Sequence, residues 1–307
     1  KTFLAKATLD GDRRPVLDVR LPGHPQSLWN RLDALIDDYK PFAIEDVDID
    51  ITSSPTVHCR RIFFFSKNDR DQAFQAIEHS FGSDVLSVTV VDLLNDNWAE
   101  RSFGTLRAVK IGDLIVTPPW DRVSHEHTAE YLIEIDPSMG FGTGHHASTR
   151  LMIKNLLEQK TAIQKSKHVL DIGTGSGVLA IASALLGANT ITAVERDVDA
   201  LTNARQNIAR NGVSSRINTI HAELSELQDF QLPKPDIILA NLTGPAFQKY
   251  QYLFETLGEP SGLLMISGLT ESEEQTTLMA FESNFTIESR HEEDGWLCLV
   301  FRYHYST

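Results

Sequence analysis

Apolar and polar residues alternate with two different periods along the first ninety or so residues. A period of two predicts strands and a period of 3.6 predicts helices. The predicted strands are 16–21, 42–52, 56–66 and 85–91, and the predicted helices are 25–38 and 69–81. We expect Asn68 or Asp69 to cap the second helix. Strand–helix–strand–strand–helix–strand is the ferredoxin-like order, so we expect residues 1–93 to form a ferredoxin-like α+β domain.

From residue 131 onward, short buried apolar runs alternate with amphipathic helices. The predicted strands are 131–135, 169–172, 190–195, 235–242 and 263–267, and the predicted helices are 147–159, 178–186, 197–211, 245–257 and 271–281. Two final strands, 285–289 and 296–302, face each other across a glycine-containing turn and predict a hairpin. This order predicts a doubly wound, mostly parallel α/β sheet in a domain over 131–307, preceded by a connector over 94–130.

A glycine turn, residues 173–177, stands between a buried strand and a helix in the run VLDIGTGSGVLAIA, 169–182. A dinucleotide-binding turn needs a third glycine at position 178, where the chain has Val178. The spacing G-x-G-x-G after an acidic residue instead resembles motif I of the methyltransferases that use S-adenosylmethionine (AdoMet). Glycine suits such a ligand because it allows a close approach to the backbone.

Polar residues end two further strands of the predicted sheet. Glu195 ends the strand 190–195, where an acidic residue accepts hydrogen bonds from ribose hydroxyls in doubly wound sheets. Asn241 stands at the carboxyl end of the strand 235–242, placed to hold an acceptor nitrogen or a methyl donor. Ligands of open α/β sheets bind outside the carboxyl ends of the strands, so we expect both residues to face the same ligand.

The loop 136–146, DPSMGFGTGHH, contains three glycines and a proline directly before a predicted helix. We expect its backbone amides and the Thr143 hydroxyl to lie over a bound AdoMet. His145 and His146 raise the possibility of a metal site, but adjacent histidines point apart and no acidic or cysteine ligands accompany them. We therefore expect no metal, and hydrogen bonds from these histidines at the helix start.

The net charge, the cysteines and the lengths of the apolar runs indicate which kinds of partner the protein binds. The net charge is −14, from 28 Lys and Arg against 42 Asp and Glu, which argues against direct nucleic-acid binding and is compatible with a basic protein substrate. The only cysteines, Cys59 and Cys298, form no zinc or disulfide pattern. With no apolar run of transmembrane length and no signal-peptide pattern, we expect a cytoplasmic monomer without a membrane partner.

The chain from about residue 97 resembles the PrmA-type methyltransferases, which modify large-subunit ribosomal protein eleven. The motifs that carry the resemblance are Asn97-Trp98, Pro118-Pro119-Trp120, Asp136-Pro137, Phe141-Gly142-Thr143-Gly144, His146, Thr149, 169–173, Ala240-Asn241-Leu242, Ser267-Gly268-Leu269 and Gly295-Trp296. The resemblance implies a class I, Rossmann-like methyltransferase sheet with AdoMet as cofactor. It also implies that the N-terminal domain recognises the protein substrate.

The resemblance extends to a set of cofactor-binding residues. They are Phe141, Gly142, Thr143, Asp171, Gly173, Thr174, Gly175, Glu195, Arg196 and Asn241. Phe141, Gly142 and Thr143 would line AdoMet, Asp171 and Gly173 would hold its amino-acid end, and Glu195 its ribose. Three positions depart from the family pattern, with Thr174 in place of Cys, Glu195 in place of Asp, and His145-His146-Ala147 in place of Thr-His-Pro.

The expected reaction is N-methylation of a lysine or α-amino group, with Asn241 as the catalytic residue that orients a neutral amine. One alternative is a methyltransferase for another protein, a small molecule or a nucleic acid. The Asn-Pro-Pro-aromatic loop of nucleic-acid methylators is absent, because Leu242 follows Asn241. A second alternative is an AdoMet-binding module without turnover, against which the presence of Asn241 argues. A nicotinamide-dependent oxidoreductase is disfavoured by Val178.

Overall fold

The computed structural model describes residues 13–22, 26–36, 39, 41–47, 57–64, 66–82, 85, 87–94, 106–125, 128–137 and 143–304. The chain divides into two compact units between positions 104 and 105. The second unit thus begins inside the segment 94–130 that the sequence predicts to be a connector.

The first unit is a four-stranded antiparallel sheet with two helices. Its elements are β1 (Arg13–Pro22), α1 (Gln26–Ile36), β2 (Pro41–Val47), β3 (Val57–Phe64), α2 (Lys67–Phe81) and β4 (Ser87–Leu94). The strands are ordered β2-β3-β1-β4, and every pairing is antiparallel. The order of elements along the chain is the one that the sequence predicts. Positions 48–52 of the predicted second strand lie outside the described residues.

The core of the first unit follows from alternation along β1. Leu17, Val19 and Leu21 are fully buried and cluster with apolar residues of both helices. Helix α2 begins earlier than the pattern predicts, because Ser66 is its cap and accepts a hydrogen bond from the Asp69 backbone N–H at 3.0 Å. The prediction of a cap at Asn68 or Asp69 is therefore wrong.

The second unit opens with a small three-stranded sheet. Its strands are β5 (Val109–Ile111), β6 (Leu114–Thr117) and β7 (Tyr131–Glu134), in the order β5-β6-β7. Strand β6 pairs antiparallel with β5 and parallel with β7. All four residues of β6 are buried, so this part of the predicted connector contributes to the core of the second unit.

A seven-stranded sheet forms the body of the second unit. The helices are α3 (Ala147–Glu158), α4 (Lys160–Lys165), α5 (Val178–Leu186), α6 (Val198–Arg210), α7 (Gly244–Lys249), α8 (Gln251–Leu257) and α9 (Glu271–Phe281). The strands are β8 (Val169–Ile172), β9 (Ile191–Glu195), β10 (Ile217–His221), β11 (Ile237–Asn241), β12 (Leu263–Thr270), β13 (Phe285–Glu293) and β14 (Trp296–Tyr303). Their order is β10-β9-β8-β11-β12-β14-β13, in which β14 alone runs against the others. This confirms the predicted class I sheet with its antiparallel terminal hairpin.

Two details depart from the predicted elements. The pattern gives no strand over 217–221, where β10 lies half-buried at the sheet edge. The single helix predicted over 245–257 is instead the two helices α7 and α8, which meet at Tyr250. A break in an amphipathic helix leaves the apolar spacing nearly unchanged, so the pattern does not reveal it.

One side of the seven-stranded sheet is filled by a cluster of aromatic rings. Phe281 of α9 is fully buried and contacts Phe254, Phe285 and Phe301, with ring centroids 5.2–6.0 Å apart. These contacts join two helices to the terminal hairpin, so the cluster holds the edge of the sheet that carries β13 and β14.

We predict that Phe281→Ala lowers the free energy of unfolding by about 3–5 kcal/mol, because it leaves a cavity among rings that cannot all move inward. Met279→Ala is the matched control, since Met279 lies on the same helix with 63% of its surface exposed. Urea denaturation of both variants measures the difference. A loss for Phe281→Ala no larger than that of the control would contradict this account of the core.

Candidate active site

Strands β8, β9 and β11 end at the same level in the middle of the sheet. In the parallel ladders Ile172 pairs with Val194 on one side and with Ala240 on the other. The glycine turn, Glu195 and Asn241 are the next positions along these three strands. They therefore lie side by side at the carboxyl edge, where open α/β sheets bind their ligands.

The glycine turn requires glycine at its first position. Gly173 has φ of +70°, and a Cβ atom there would lie 2.5 Å from Leu242 Cδ2. The backbone N–H groups of Gly173 and Thr174 both donate to the Val194 carbonyl at 2.9 Å. Gly177, with φ of +84°, begins α5. These two hydrogen bonds hold the turn against β9. The lack of a Cβ atom at Gly173 leaves space for the Leu242 side chain.

Asp171 lies under the glycine turn with 1% of its surface exposed. Its Oδ2 accepts hydrogen bonds from Thr174 Oγ1 at 2.5 Å and from the Ala180 backbone N–H at 3.1 Å. Its Oδ1 has no hydrogen-bond partner among the described residues. Burial raises the pKa of Asp171 to about 7, the two hydrogen bonds oppose this, and the charge of Glu195 adds to it.

Glu195 is fixed by three backbone donors. Its Oε2 accepts from the Gly175 N–H at 3.0 Å, and its Oε1 accepts from the N–H groups of Arg196 and Asp197 at 2.9 and 3.0 Å. Arg196 thus contributes its backbone to the site, while the residue as a whole is exposed. The carboxylate bridges the glycine turn and the start of α6. Its Oε1 already accepts two hydrogen bonds, whereas Oε2 keeps capacity for a further donor.

Asn241 is half-buried at the end of β11. Its Nδ2 donates to Thr149 Oγ1 at 3.5 Å, a long hydrogen bond to a buried residue in the first turn of α3. On the other side, a Cβ added to Gly268 would lie 2.3 Å from the Leu242 carbonyl oxygen and 3.0 Å from Asn241 Oδ1. Glycine at 268 therefore leaves the space that the Asn241 amide occupies.

The end of the loop before α3 makes the hydrogen bonds expected at a helix start. His146 is the N-cap of α3, and its Nδ1 accepts from the Ser148 backbone N–H at 3.3 Å. Its ring meets that of Trp296 edge to face, with centroids 4.4 Å apart. Thr143 Oγ1 and His145 Nδ1 are 3.1 Å apart. The loop end is therefore ordered by its own side chains and by the terminal hairpin.

Ion pairs join the start of α3 to the same hairpin. Arg150 donates to Glu293 and, at 3.0 Å, to Asp294, and Lys154 also donates to Glu293. Glu293 ends β13, and Asp294 begins the two-residue turn that leads to Trp296 at the start of β14. The contacts bring Trp296 and the first turn of α3 to the edge at which Asn241 ends its strand.

The structure brings most of the predicted site residues together around the glycine turn. Asp171, Gly173, Thr174, Gly175 and Glu195 are linked through the glycine turn, with Asn241 one strand away at the same level. Phe141 and Gly142 lie outside the described residues. Thr149 and Trp296 are missed as site residues by the sequence reasoning, although both stand within its family motifs. The signal for Thr149 is a hydroxyl within one helical turn of a glycine-rich loop.

Two further findings concern ligands and membranes. Among the described residues, no three His, Cys, Asp or Glu side chains lie close enough together to hold a metal ion. Within the same part of the chain, no helix combines the length and apolar character needed to cross a membrane.

Comparisons with known proteins agree with one another. The sequence model of the family described as "Ribosomal protein L11 methyltransferase (PrmA)" matches residues 38–304. The ribosomal protein L11 methyltransferase of Carboxydothermus hydrogenoformans is 34% identical over 209 residues, which are 67% of this chain and 66%, just under two thirds, of that protein. The one from Syntrophotalea carbinolica is 29% identical over 271 residues, 85% of each chain.

A solved structure is also similar. The crystal structure of the ribosomal protein L11 methylase from Lactobacillus delbrueckii subsp. bulgaricus matches with a TM-score of 0.57 and 25% sequence identity. The match covers 65% of this chain and 99% of that one. The similarity thus extends from sequence to three-dimensional structure.

We predict that Asp171→Asn changes how stability depends on pH. The folded-state pKa of Asp171 lies above the unfolded value of 3.8, so the folded state binds the proton more tightly and loses stability as pH rises from about 4 to about 7. The variant lacks this loss, so its stability relative to the wild type rises by about 2–3 kcal/mol between pH 5 and pH 8. Urea denaturation at both pH values measures it, with the exposed Asp229→Asn as control. A difference that does not change with pH would contradict the raised pKa.

Proposed function

This chain belongs to the ribosomal protein L11 methyltransferase family, and we propose from this that it transfers methyl groups from AdoMet to amines of ribosomal protein L11. Membership confirms the family that the sequence motifs indicate. The observation that carries the proposal is the alignment of the glycine turn, Glu195 and Asn241 at one edge of the sheet. A turn, an acid and an amide at adjacent strand ends suit a nucleoside that carries a reactive group at one end.

The residues at this edge fit AdoMet. The missing Cβ atom at Gly173 lets Leu242 pack against the turn. The unpartnered Oδ1 of Asp171 is an acceptor suited to the ammonium group of the cofactor. Glu195 would accept hydrogen bonds from the ribose hydroxyls. Thr174 would act through Asp171, since its hydroxyl already donates to that carboxylate. Gly175 and Arg196 would act through the backbone N–H groups that fix Glu195.

On the proposed arrangement, the remaining cofactor contacts come from the loop before α3. Phe141, Gly142 and Thr143 would line AdoMet by analogy with the family motif that they match. AdoMet supplies a methyl group that its sulfonium charge has already activated. The protein's tasks are then to align an amine with that methyl group and to keep water away.

Asn241 is suited to align the amine. Its Nδ2 donates to Thr149, which orients the amide so that Oδ1 is the atom available to a substrate. An amine N–H that donates to this oxygen turns its lone pair toward the methyl group. Lysine has an ordinary pKa of about 10.4, so the amine must lose a proton before it attacks, and we assign that proton to solvent. The nitrogen–carbon bond forms as the carbon–sulfur bond breaks, and S-adenosylhomocysteine leaves.

We assign recognition of the protein substrate to the first unit, as a ferredoxin-like domain over residues 1–93. The net charge of −14 favours a basic protein over a nucleic acid, because complementary charge steers association. We further propose that the protein acts as a cytoplasmic monomer and makes no direct contact with nucleic acid.

The proposal is tested by incubation of the chain with labelled AdoMet and purified ribosomal protein L11, followed by mass spectrometry. Methyl groups on lysine or α-amino nitrogens of L11 are the expected result. If calorimetry shows that S-adenosylhomocysteine binds but L11 carries no label, L11 is not the substrate and the assignment of the cofactor site stands. Absence of any binding would overturn both.

We predict that Asn241→Ala lowers kcat by about 100-fold or more, because the amine loses its alignment, while the Kd for AdoMet changes less than about threefold. Single-turnover assays and calorimetry measure the two quantities separately. Asn218→Ala is the matched control, at an exposed position on β10. Equal losses of turnover and of affinity would assign Asn241 to cofactor binding instead.

A further inference from the structure

Helix α6 contains Asn203 and Asn207, and Asn211 is its C-cap. These three asparagines stand at four-residue spacing, and we call them the asparagine ladder. Asn207 is fully buried and Asn203 is 4% exposed. A spacing of four places side chains on one face of a helix. Buried amides are costly unless their hydrogen bonds are made, so their partners define what this face does.

The ladder bonds to both the N–H and the carbonyl of Glu134 and to both the N–H and the carbonyl of Asp136. The Glu134 N–H donates to Asn211 Oδ1 at 2.9 Å, and Asn211 Nδ2 donates back to the Glu134 carbonyl at 2.7 Å. The Asp136 N–H donates to Asn207 Oδ1 at 3.0 Å, and Asn203 Nδ2 donates to the Asp136 carbonyl at 3.3 Å. The pattern is that of a β-ladder in which side-chain amides replace a neighbouring strand.

The spacing of the asparagines along the helix matches the spacing of the backbone groups along the segment 134–136. Four helical residues rise about 6 Å, and two strand residues span about 6.6 Å, so asparagines four apart meet backbone groups two apart. The other edge of this segment pairs with β6, where the Ile135 N–H donates to the Thr117 carbonyl at 2.9 Å. The segment is therefore held on both edges before it enters the loop that leads to α3.

Asn207 also bonds to the glycine turn. Its Nδ2 donates to the Ser176 carbonyl at 2.9 Å and to Asn203 Oδ1 at 2.6 Å. Ser176 stands inside the glycine turn, between Gly175 and Gly177, which have φ of +54° and +84°. Glycines populate many backbone conformations, so a fixed carbonyl between them selects one.

We propose that Asn207 is a positioning residue for the cofactor, because it holds the Ser176 carbonyl and thereby sets the conformation of the glycine turn. Two peptide groups further toward β8 lies the Gly175 N–H that donates to Glu195 Oε2. A change at Asn207 thus reaches the acid assigned to the ribose without any direct contact. The inference rests on the proposed function, since it takes AdoMet as the ligand of this turn.

The test compares two variants that each keep an acceptor and lose a donor. Asn207→Asp retains the oxygen for the Asp136 N–H and loses the donor to Ser176. Asn211→Asp retains the oxygen for the Glu134 N–H and loses the donors to the carbonyls of Glu134 and of Asn207. Calorimetry with S-adenosylhomocysteine gives Kd for the wild type and both variants, and urea denaturation reports their stability.

We expect Asn207→Asp to raise Kd at least tenfold and Asn211→Asp less than threefold, with kcat at saturating AdoMet within about threefold for both. Equal Kd values for the wild type and Asn207→Asp, or equal increases for the two variants, would overturn the inference. A wild type that does not bind would instead overturn the proposed function. If Asn207→Asp does not fold, Asn203→Ser removes the oxygen that orients the Asn207 amide. A Kd raised about threefold then supports the inference, and an unchanged Kd overturns it.

Discussion

The close approach of the glycine turn to β11 is the constraint on which the candidate site depends. Gly173 has φ of +70°, which few L-residues adopt, and a Cβ atom there would lie 2.5 Å from Cδ2 of Leu242, the residue that follows Asn241. The absence of a Cβ atom lets the chain turn directly at the end of β8. Helix α5 begins directly after the turn, and the N–H of its third residue, Ala180, donates to Asp171. The same closeness sets Asn241 beside the turn.

Two carboxylates, the buried Asp171 and the neighbouring Glu195, lie at this turn. Asp171 is buried without a compensating cation in its described contacts, and the nearby charge of Glu195 adds to the cost of its ionisation. A positively charged ligand would lower the cost of ionising Asp171. AdoMet carries such charges on its ammonium and sulfonium groups. The electrostatics of the turn therefore support the same ligand as its shape.

The sequence predicts the parts of the site that are local in the chain. The glycine spacing of the turn, Glu195 at the end of one strand and Asn241 at the end of another each stand within a short motif, and the sheet rules bring the strand ends together. The terminal hairpin and the class I order are also visible in the apolar pattern. These features follow from periodicity and strand direction, which need no knowledge of distant contacts.

What the sequence does not predict depends on pairs far apart in the chain. Arg150 and Glu293 are 143 positions apart, and nothing local to either indicates the partner. The asparagine ladder has the spacing of polar residues on a solvated helix face, and its burial depends on partners elsewhere in the chain, in 134–136 and at Ser176. The Ser66 cap and the break at Tyr250 are missed because small shifts of a helix end leave the apolar pattern unchanged.

A crystal structure of the chain with S-adenosylhomocysteine tests the central claim most directly. We predict that the ribose hydroxyls lie within hydrogen-bonding distance of the Glu195 carboxylate and that the ligand sulfur lies on the side of the turn that faces Asn241. A ligand bound elsewhere, or one whose sulfur points away from Asn241, would contradict the assignment of this edge of the sheet as the methyl-transfer site.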